Sequence, residues 1–195
     1  KHLFIDIKSL SITRSNKMIQ KALAKFKQLQ LVTQETIGDV ATYQLNFSNN
    51  VTLLYLALID QQEIRKDKAV FRVLKMAAEH VDKYTEFYIM LVFGSYAKGT
   101  ETERSDVDVA VIVETEEAKG NMKPPLSTAR RKSLPPADFQ VFSRTEFLEM
   151  LTIDEENVGK EIVRDNFIYY GTAAYFKLLN KALHETPRHA IFGTR

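Results

Sequence analysis

Residues 91–113 read LVFGSYAKGTETERSDVDVAVIV, which predicts a strand, a tight turn, a short helix, a loop and a second strand. The second strand begins with two carboxylates, Asp106 and Asp108, which are two positions apart. Because side chains alternate between the two faces of a strand, we expect both aspartates on the same face. The Gly94-Ser95 turn and the two carboxylates together indicate a place for phosphate and a hard cation.

Glycine and serine at the turn suit contact with phosphate for separate reasons. Gly94 lets the backbone turn sharply and approach a phosphate, because no Cβ is in the way. Ser95 offers a hydroxyl, and the backbone N–H groups that follow it point out of the start of a helix. The alternative is that Ser95 is an ordinary helix-capping serine.

The order Gly94-Ser95, Gly99 and then Ser105 to Asp108 resembles the signature of the DNA polymerase beta-like nucleotidyltransferases, and above all their minimal (MNT) members. The resemblance covers residues 67 to 185, approximately. It implies that Gly94 and Ser95 hold the triphosphate of a nucleoside triphosphate, and that Asp106 and Asp108 are catalytic and bind metal. Two Mg²⁺ ions are then expected, one on the triphosphate and one activating the attacking hydroxyl.

Further candidates for nucleotide binding flank the turn. Lys98 and Arg104 are placed to contact phosphate oxygens, and arginine can do so with two parallel hydrogen bonds. Each is equally well explained as a solvated surface charge. We assign Ser105 a supporting role, in which it caps or orients the start of the strand.

A third carboxylate is expected from a neighbouring strand. Asp138 begins the sequence DFQVF directly after a Pro-Pro pair and an alanine, which reads as a short strand preceded by a breaker. It resembles the third acid of the family, which often heads a strand that leads into a helix start such as residues 143–147. Asp138 is therefore assigned as the third catalytic and metal-binding residue. Glu114 and Asp154 are the alternatives.

The N-terminal part of the chain is basic and differs from the rest. Residues 15–29 carry apolar side chains with helical spacing, and residues 31–47 read as a hairpin with a turn at Gly38-Asp39. A helix followed by a hairpin resembles the recognition helix and wing of a winged helix-turn-helix domain. The candidates for contact with duplex DNA are Arg14, Lys17 and Lys21. The alternative is a packing helix with a solvated lysine face.

The sequence thus predicts an α+β fold in which a winged-helix-like domain precedes a polymerase beta-like nucleotidyltransferase domain with a small mixed sheet flanked by helices. The expected division is a winged-helix-like domain over residues 1–50, a linking helix over 51–66 and the nucleotidyltransferase domain over 67–195. Apolar residues surround the helix at 51–59, so it should be buried or lie in a homodimer interface. Residues 115–136 are rich in proline and basic residues, and we expect a long loop or lid there.

Further helices are expected towards the C-terminus and before the first strand of the second domain. Helical spacing predicts them at residues 69–81, 145–151, 158–164 and 173–184. Tyr169 and Tyr170 either stack on a nucleotide base or pack in the core. No histidine has the spacing of a metal ligand or a catalytic partner.

Composition sets broad limits on the class of protein. The 195 residues are 45% apolar with a net charge of +2, which is ordinary for a globular chain. The chain has no cysteine, which excludes disulfides and thiolate metal sites and fits a reducing cytoplasm, where we expect the protein to act. No apolar run is long enough for a membrane span, and no signal-peptide pattern opens the sequence. The first residue is Lys1 rather than Met, which leaves an N-terminal extension open.

The expected function is the metal-dependent transfer of a nucleoside monophosphate, AMP from ATP, to an acceptor hydroxyl. The resemblance implies a protein acceptor, because MNT antitoxins act beside ribonuclease toxins of the HEPN type. A small-molecule acceptor is the second enzymatic option. From another class, the alternative is a DNA-binding transcriptional regulator whose nucleotidyltransferase domain binds nucleotide or a partner without turnover.

Overall fold

A computed structural model describes residues 16–37, 40–186 and 191 of the chain. The chain divides into two compact units, Lys1–Tyr55 and Leu56–Arg195. The division falls inside the segment that the sequence assigns to a linking helix. Among the described residues, none of the helices has the length and apolar character needed to cross a bilayer.

The first unit contains a helix and a two-stranded antiparallel sheet. Its elements are α1 (Asn16–Gln28), β1 (Val32–Ile37) and β2 (Val40–Leu45). Two residues after the helix, Gln30 has a positive φ of 54°, which glycine more often provides at a helix end. The helix and hairpin are confirmed, whereas a complete winged helix is not shown. Arg14 and the Gly38-Asp39 turn lie outside the described residues.

The apolar stripe of α1 is buried over a shorter length of the helix than its sequence suggests. Ile19 and Leu23 are buried, each 7% exposed. Phe26 and Leu29, which continue the same helical spacing, are both 39% exposed. The helix therefore buries only about one turn of its apolar stripe.

A long helix, α2 (Asn50–Lys66), follows the hairpin and has two different apolar faces. Leu53 and Leu56 lie on the buried face, whereas the other face is exposed. The exposed side chains, each 44–69% accessible, are Val51, Leu54, Tyr55, Leu58 and Ile59. Burial on all sides, the first of the two predicted alternatives, therefore holds for one face only, and a homodimer interface on the other face stays a prediction.

The second unit is built on a four-stranded mixed sheet in the order β5-β4-β3-β6. The strands are β3 (Tyr88–Phe93), β4 (Val107–Val113), β5 (Ala137–Ser143) and β6 (Phe167–Tyr170). Strand β3 runs antiparallel to β4 and to β6, whereas β4 and β5 are parallel. This small mixed sheet confirms the expected α+β architecture of the domain.

Burial of the two central strands explains why they form the middle of the sheet. Every residue of β3 is buried, and in β4 every residue except Asp108 is. Such continuous apolar runs are typical of strands that are covered on both faces. The helix α3 (Lys68–Val81) covers the sheet with the apolar stripe that its sequence predicts. Its buried side chains include Val70, Val73, Leu74, Ala77 and Val81.

The segment between β4 and β5 is helical, so the prediction of a long loop or lid is wrong. It forms α5 (Glu116–Asn121) and α6 (Lys123–Lys132). Pro124 and Pro125, two of the four prolines in this segment, lie in the first turn of α6, where the missing N–H groups have no helical partner to lose. Leu126 and Ala129 of α6 are buried in the core with Met122, which anchors the helix.

The C-terminal helices follow the sequence with small corrections. They are α7 (Arg144–Thr152), α8 (Val158–Arg164) and α9 (Thr172–Glu185). Ser143, and not Thr145, caps α7: its hydroxyl accepts from the Glu146 N–H, while the Glu146 carboxylate accepts from the Ser143 N–H. Strand β6 fills the gap between α8 and α9 that the sequence had suggested only as a break.

Candidate active site

The turn at the end of β3 brings the backbone against an aspartate. The short helix α4 (Gly94–Lys98) begins directly after Phe93 and ends at Gly99. Gly94 has a positive φ of 67°, and a Cβ built on it would lie 2.2 Å from Oδ2 of Asp108. Only glycine fits here, because the Asp108 carboxylate occupies the space that any side chain would need.

The sheet places a second carboxylate next to Asp108. In the antiparallel ladder Asp108 is opposite Phe93, and in the parallel ladder it is opposite Asp138. Neighbouring strands are about 4.8 Å apart, so the two aspartates start from adjacent positions of one sheet. Asp106 lies one residue before β4 and is exposed. The structure therefore brings Asp108 and Asp138 together at the end of the sheet that carries the Gly94 turn.

Negative charge is concentrated around Asp108. Burial raises the pKa of the Asp108 carboxyl, and the nearby carboxylates of Asp138, Glu161 and Asp106 raise it further. Lys98 acts in the opposite direction. A partly buried carboxylate whose pKa is raised by neighbouring carboxylates favours a bound cation, which would offset the negative charge around it.

Two of these carboxylates already have cationic partners within the chain. Arg130 of α6 donates from Nη2 to Oδ1 of Asp138 at 2.7 Å. Lys98 donates from Nζ to Oε1 of Glu161, in α8, at 2.6 Å. Lys98 thus lies beside the turn, as the sequence predicts, but its ammonium group is paired with an acid.

Sequence reasoning missed Glu161. It belongs to neither motif, and it lies in a helix whose sequence offers no spacing signal that connects it with Asp108. Only the fold brings this helix to the end of the sheet. Arg130 is one of three adjacent basic residues, and nothing in the sequence distinguishes it from Arg131 or Lys132.

The loop before β4 is held by short-range hydrogen bonds. Ser105 Oγ accepts from the Thr102 N–H at 2.9 Å, and Thr102 Oγ1 accepts from the Arg104 N–H at 3.3 Å. Ser105 therefore shapes the approach to the strand, in line with a supporting role. The Arg104 side chain is exposed on this loop.

The two alternative third acids lie elsewhere. Glu114 follows the far end of β4, six residues and about 20 Å from Asp108, and pairs with Arg144 at 2.8 Å. Asp154 is exposed, and its backbone carbonyl accepts from the buried Lys160. Asp138 is the one of the three that is paired with Asp108 in the sheet.

The adjacent tyrosines of β6 pack within the domain. Tyr169 meets Phe71 edge to face at 6.2 Å, and Tyr170 stacks on Tyr88 at 4.5 Å between ring centroids. The packing interpretation therefore accounts for both rings.

The donor set suits a hard divalent cation in its chemistry. Asp106, Asp108 and Asp138 offer only carboxylate oxygens, the ligands that Mg²⁺ prefers. In the part of the chain that the structure describes, however, no three acidic, histidine or cysteine side chains converge closely enough to hold a metal. The Arg130 guanidinium contacts Asp138, so this carboxylate is paired with a cationic side chain.

An open cavity of about 770 Å³ runs beside α4. Its lining includes Lys68 and Arg72 from the start of α3, and Tyr96 and Lys98 from α4. Burial raises the pKa of Tyr96, as do the charges of Asp67, Glu101 and Asp106, so its phenol is neutral at physiological pH. The volume is within the range of small-molecule sites. Tyr96 and Arg72 were not predicted as site residues.

Comparisons with known proteins agree with the site geometry in one respect. Residues 75–166 match the family model described as polymerase beta, nucleotidyltransferase. No curated protein sequence matches the chain. A solved structure described as "Crystal structure of the toxin-antitoxin with AMP-PNP" aligns at 17% identity over 59% of this chain and 90% of its own, with a TM-score of 0.38. A TM-score this low does not establish a shared fold. The family match spans the Gly94 turn, all three aspartates and Glu161, so the part of the chain that holds the candidate site is similar to nucleotidyltransferases of the polymerase beta type.

Proposed function

We propose that this domain transfers AMP from ATP to an acceptor hydroxyl and releases pyrophosphate. The observation that carries the proposal is the position of Asp108. Its carboxylate lies against the Gly94 backbone on one side and beside Asp138 on the other. A phosphate at the turn and a cation on the carboxylates would then be neighbours, which nucleotidyl transfer requires.

Each residue has a distinct part in this proposal. The Gly94-Ser95 turn binds the triphosphate through backbone N–H groups and the Ser95 hydroxyl. Asp106, Asp108 and Asp138 would hold Mg²⁺, which when bound neutralises the triphosphate and lowers the pKa of the acceptor hydroxyl. Lys98 and Arg104 contribute positive charge towards the phosphates. Positioning and electrostatics supply most of the rate, since no side chain is placed as an obvious general base.

Transfer of label from ATP tests the proposal. The full chain is incubated with Mg²⁺, cell extract and ATP labelled at the α-phosphate, and in parallel with ATP labelled at the γ-phosphate. We expect label in the acceptor only from the α-phosphate. Asp108→Asn should lower incorporation about 100-fold or more, because an electrostatic group of the transition state is lost. Glu114→Gln, which changes an acid at the other end of β4, is the matched control.

Two results would contradict the proposal. If Asp108→Asn labels as well as the wild type, the carboxylate at the turn is not part of the reaction. If label arrives only from the γ-phosphate, the domain transfers a phosphoryl group and not a nucleotide.

For the acceptor, we propose a protein hydroxyl, as the resemblance to MNT antitoxins implies. The same labelling experiment in cell extract separates the two kinds of acceptor. Label that precipitates with protein supports a protein acceptor, whereas label confined to small molecules supports a small-molecule acceptor. A tyrosine hydroxyl of a HEPN-type toxin is the specific acceptor to test with purified protein.

A second candidate function, duplex DNA binding by the first unit, rests on one observation. Lys17, Lys21 and Lys25 follow one another at four-residue spacing on α1, and all three are exposed. They are placed to contact phosphates along one face of the helix. Gel-shift titrations at several salt concentrations test this. Binding that weakens steeply with salt and is lost on Lys17→Ala/Lys21→Ala supports it, whereas salt-independent binding contradicts it.

A further inference from the structure

The ion pair between Arg130 and Asp138 occupies the position where the proposed reaction needs a metal ligand. Arg130 Nη2 lies 2.7 Å from Oδ1 of Asp138, and Oδ2 accepts a longer hydrogen bond from Gln140 Nε2 at 3.5 Å. Asp138 is also the direct sheet neighbour of Asp108. One cationic side chain of the protein therefore already neutralises the carboxylate that would complete the acidic set.

The guanidinium can leave this position without movement of the backbone. Helix α6 is fixed by Leu126 and Ala129, which are 4% and 0% exposed. The Arg130 side chain, by contrast, is 62% exposed, and that of Asp138 is 32% exposed. Rotation of the arginine side chain into water is enough to free the carboxylate.

The neighbouring arginine provides a natural comparison. Arg131 is also exposed, but it donates to Ser127 Oγ at 2.9 Å and to Thr128 Oγ1 at 3.3 Å, both within its own helix. It is therefore tied to the surface of α6 and makes no contact with Asp138. The two adjacent residues carry the same charge on the same helix, but only one is paired with the candidate site.

We propose that Arg130 is an internal counter-ion that competes with a divalent metal for Asp138, so that metal binding breaks the Arg130–Asp138 pair. This inference rests on the proposed function, because it takes Asp138 as a metal ligand. A guanidinium and a divalent cation bound to the same carboxylate oxygen would be close enough to repel each other strongly. One carboxylate oxygen therefore does not bind both at once.

Manganese affinity of the full chain, measured by electron paramagnetic resonance without nucleotide, tests the proposal. Arg130→Gln should tighten Mn²⁺ binding about twofold to fivefold, because a partly exposed ion pair no longer opposes it. Arg131→Gln, the matched control, should leave the affinity within error of the wild type. The ratio between Arg130→Gln and wild type should shrink at 0.5 M salt, which screens the pair.

Two further variants make the outcome decisive. In an Asp138→Asn background, Arg130→Gln should give no gain, because the arginine acts only through that carboxylate. If Arg130→Gln leaves Mn²⁺ affinity unchanged or weakens it in folded protein, as verified by circular dichroism, the counter-ion proposal is wrong. If Asp108→Asn also fails to reduce Mn²⁺ binding, or no variant binds Mn²⁺, the proposed function fails with it. Loss of binding in Asp108→Asn together with an unchanged Arg130→Gln would overturn only the present inference.

Discussion

Replacement of Gly94 by alanine is the most direct test of the site geometry. The new Cβ would lie 2.2 Å from Oδ2, 3.0 Å from Cγ and 3.2 Å from Cβ of Asp108, so the aspartate side chain has to move. The backbone at Gly94 also has φ of 67°, a conformation that L-residues other than glycine rarely adopt. The substitution therefore adds two separate costs, one in the backbone at residue 94 and one in the side chain of Asp108.

Gly99→Ala separates these two costs. Gly99 has nearly the same φ, 68°, but a Cβ there meets nothing within 4 Å. Left-handed backbone at alanine costs about 1–2 kcal/mol, and a displaced side-chain rotamer adds about 0.5–1.5 kcal/mol. We therefore expect about 1–2 kcal/mol of destabilisation for Gly99→Ala and about 1.5–3.5 kcal/mol for Gly94→Ala. At about 2–4 °C per kcal/mol, the respective losses in Tm are about 2–8 °C and about 3–14 °C.

The assay combines thermal unfolding with α-phosphate labelling. Gly94→Ala should lower Tm more than Gly99→Ala and should lose labelling about 100-fold, because Asp108 is pushed out of place. Gly99→Ala should lose stability but keep most of its labelling, since it moves no carboxylate. Equal losses of Tm in the two variants, with labelling intact in Gly94→Ala, would refute the close approach of Gly94 and Asp108.

Three other substitutions give independent tests. Asp108→Asn should raise Tm of the metal-free protein at pH 7, because burial and nearby carboxylates raise the pKa of Asp108 and so disfavour its ionised form. The gain in Tm should vanish as the pH falls below the unfolded carboxyl pKa of about 3.9, where wild-type Asp108 is itself protonated. Ser143→Ala should cost about 1 kcal/mol in urea unfolding through loss of the α7 cap, whereas the exposed Thr145→Ala should cost little. Glu161→Gln should tighten the binding of a non-hydrolysable ATP analogue up to about fivefold, measured by calorimetry, because Lys98 loses its acidic partner. Weaker binding would show that Glu161 instead orients the lysine.

The sequence predicts the central part of the domain well because its signals are local. The buried strand before the turn, the aspartates at the start of the next strand and the apolar stripe of α3 follow from alternation or helical spacing alone. The strand that carries Asp138 is also predicted correctly, because a proline pair and a capping sequence mark its two ends. These features do not depend on how distant parts of the chain pack.

What the sequence could not show depends on tertiary packing. Residues 115–136 read as a loop because proline and basic residues dominate, yet Leu126 and Ala129 bury enough surface to hold a helix against the core. Strand β6 is only four residues long and shows no alternation that would distinguish it. Glu161 and Arg130 reach the site on helices, and no pattern along the chain reports which acid or arginine faces a given carboxylate.

The central position of β4 predicts which parts of the domain open last. From Val109 to Val113 its residues are at most 2% exposed, and it pairs on both edges, with β3 and with β5. Amide protons in such a strand exchange with solvent only when the whole cooperative unit opens. Asp108 is therefore anchored in the segment that should resist opening longest. Arg130 lies near the end of α6, where residues 130–132 are exposed and can fray much earlier. The Arg130 amide should therefore take up deuterium long before the Asp108 amide does.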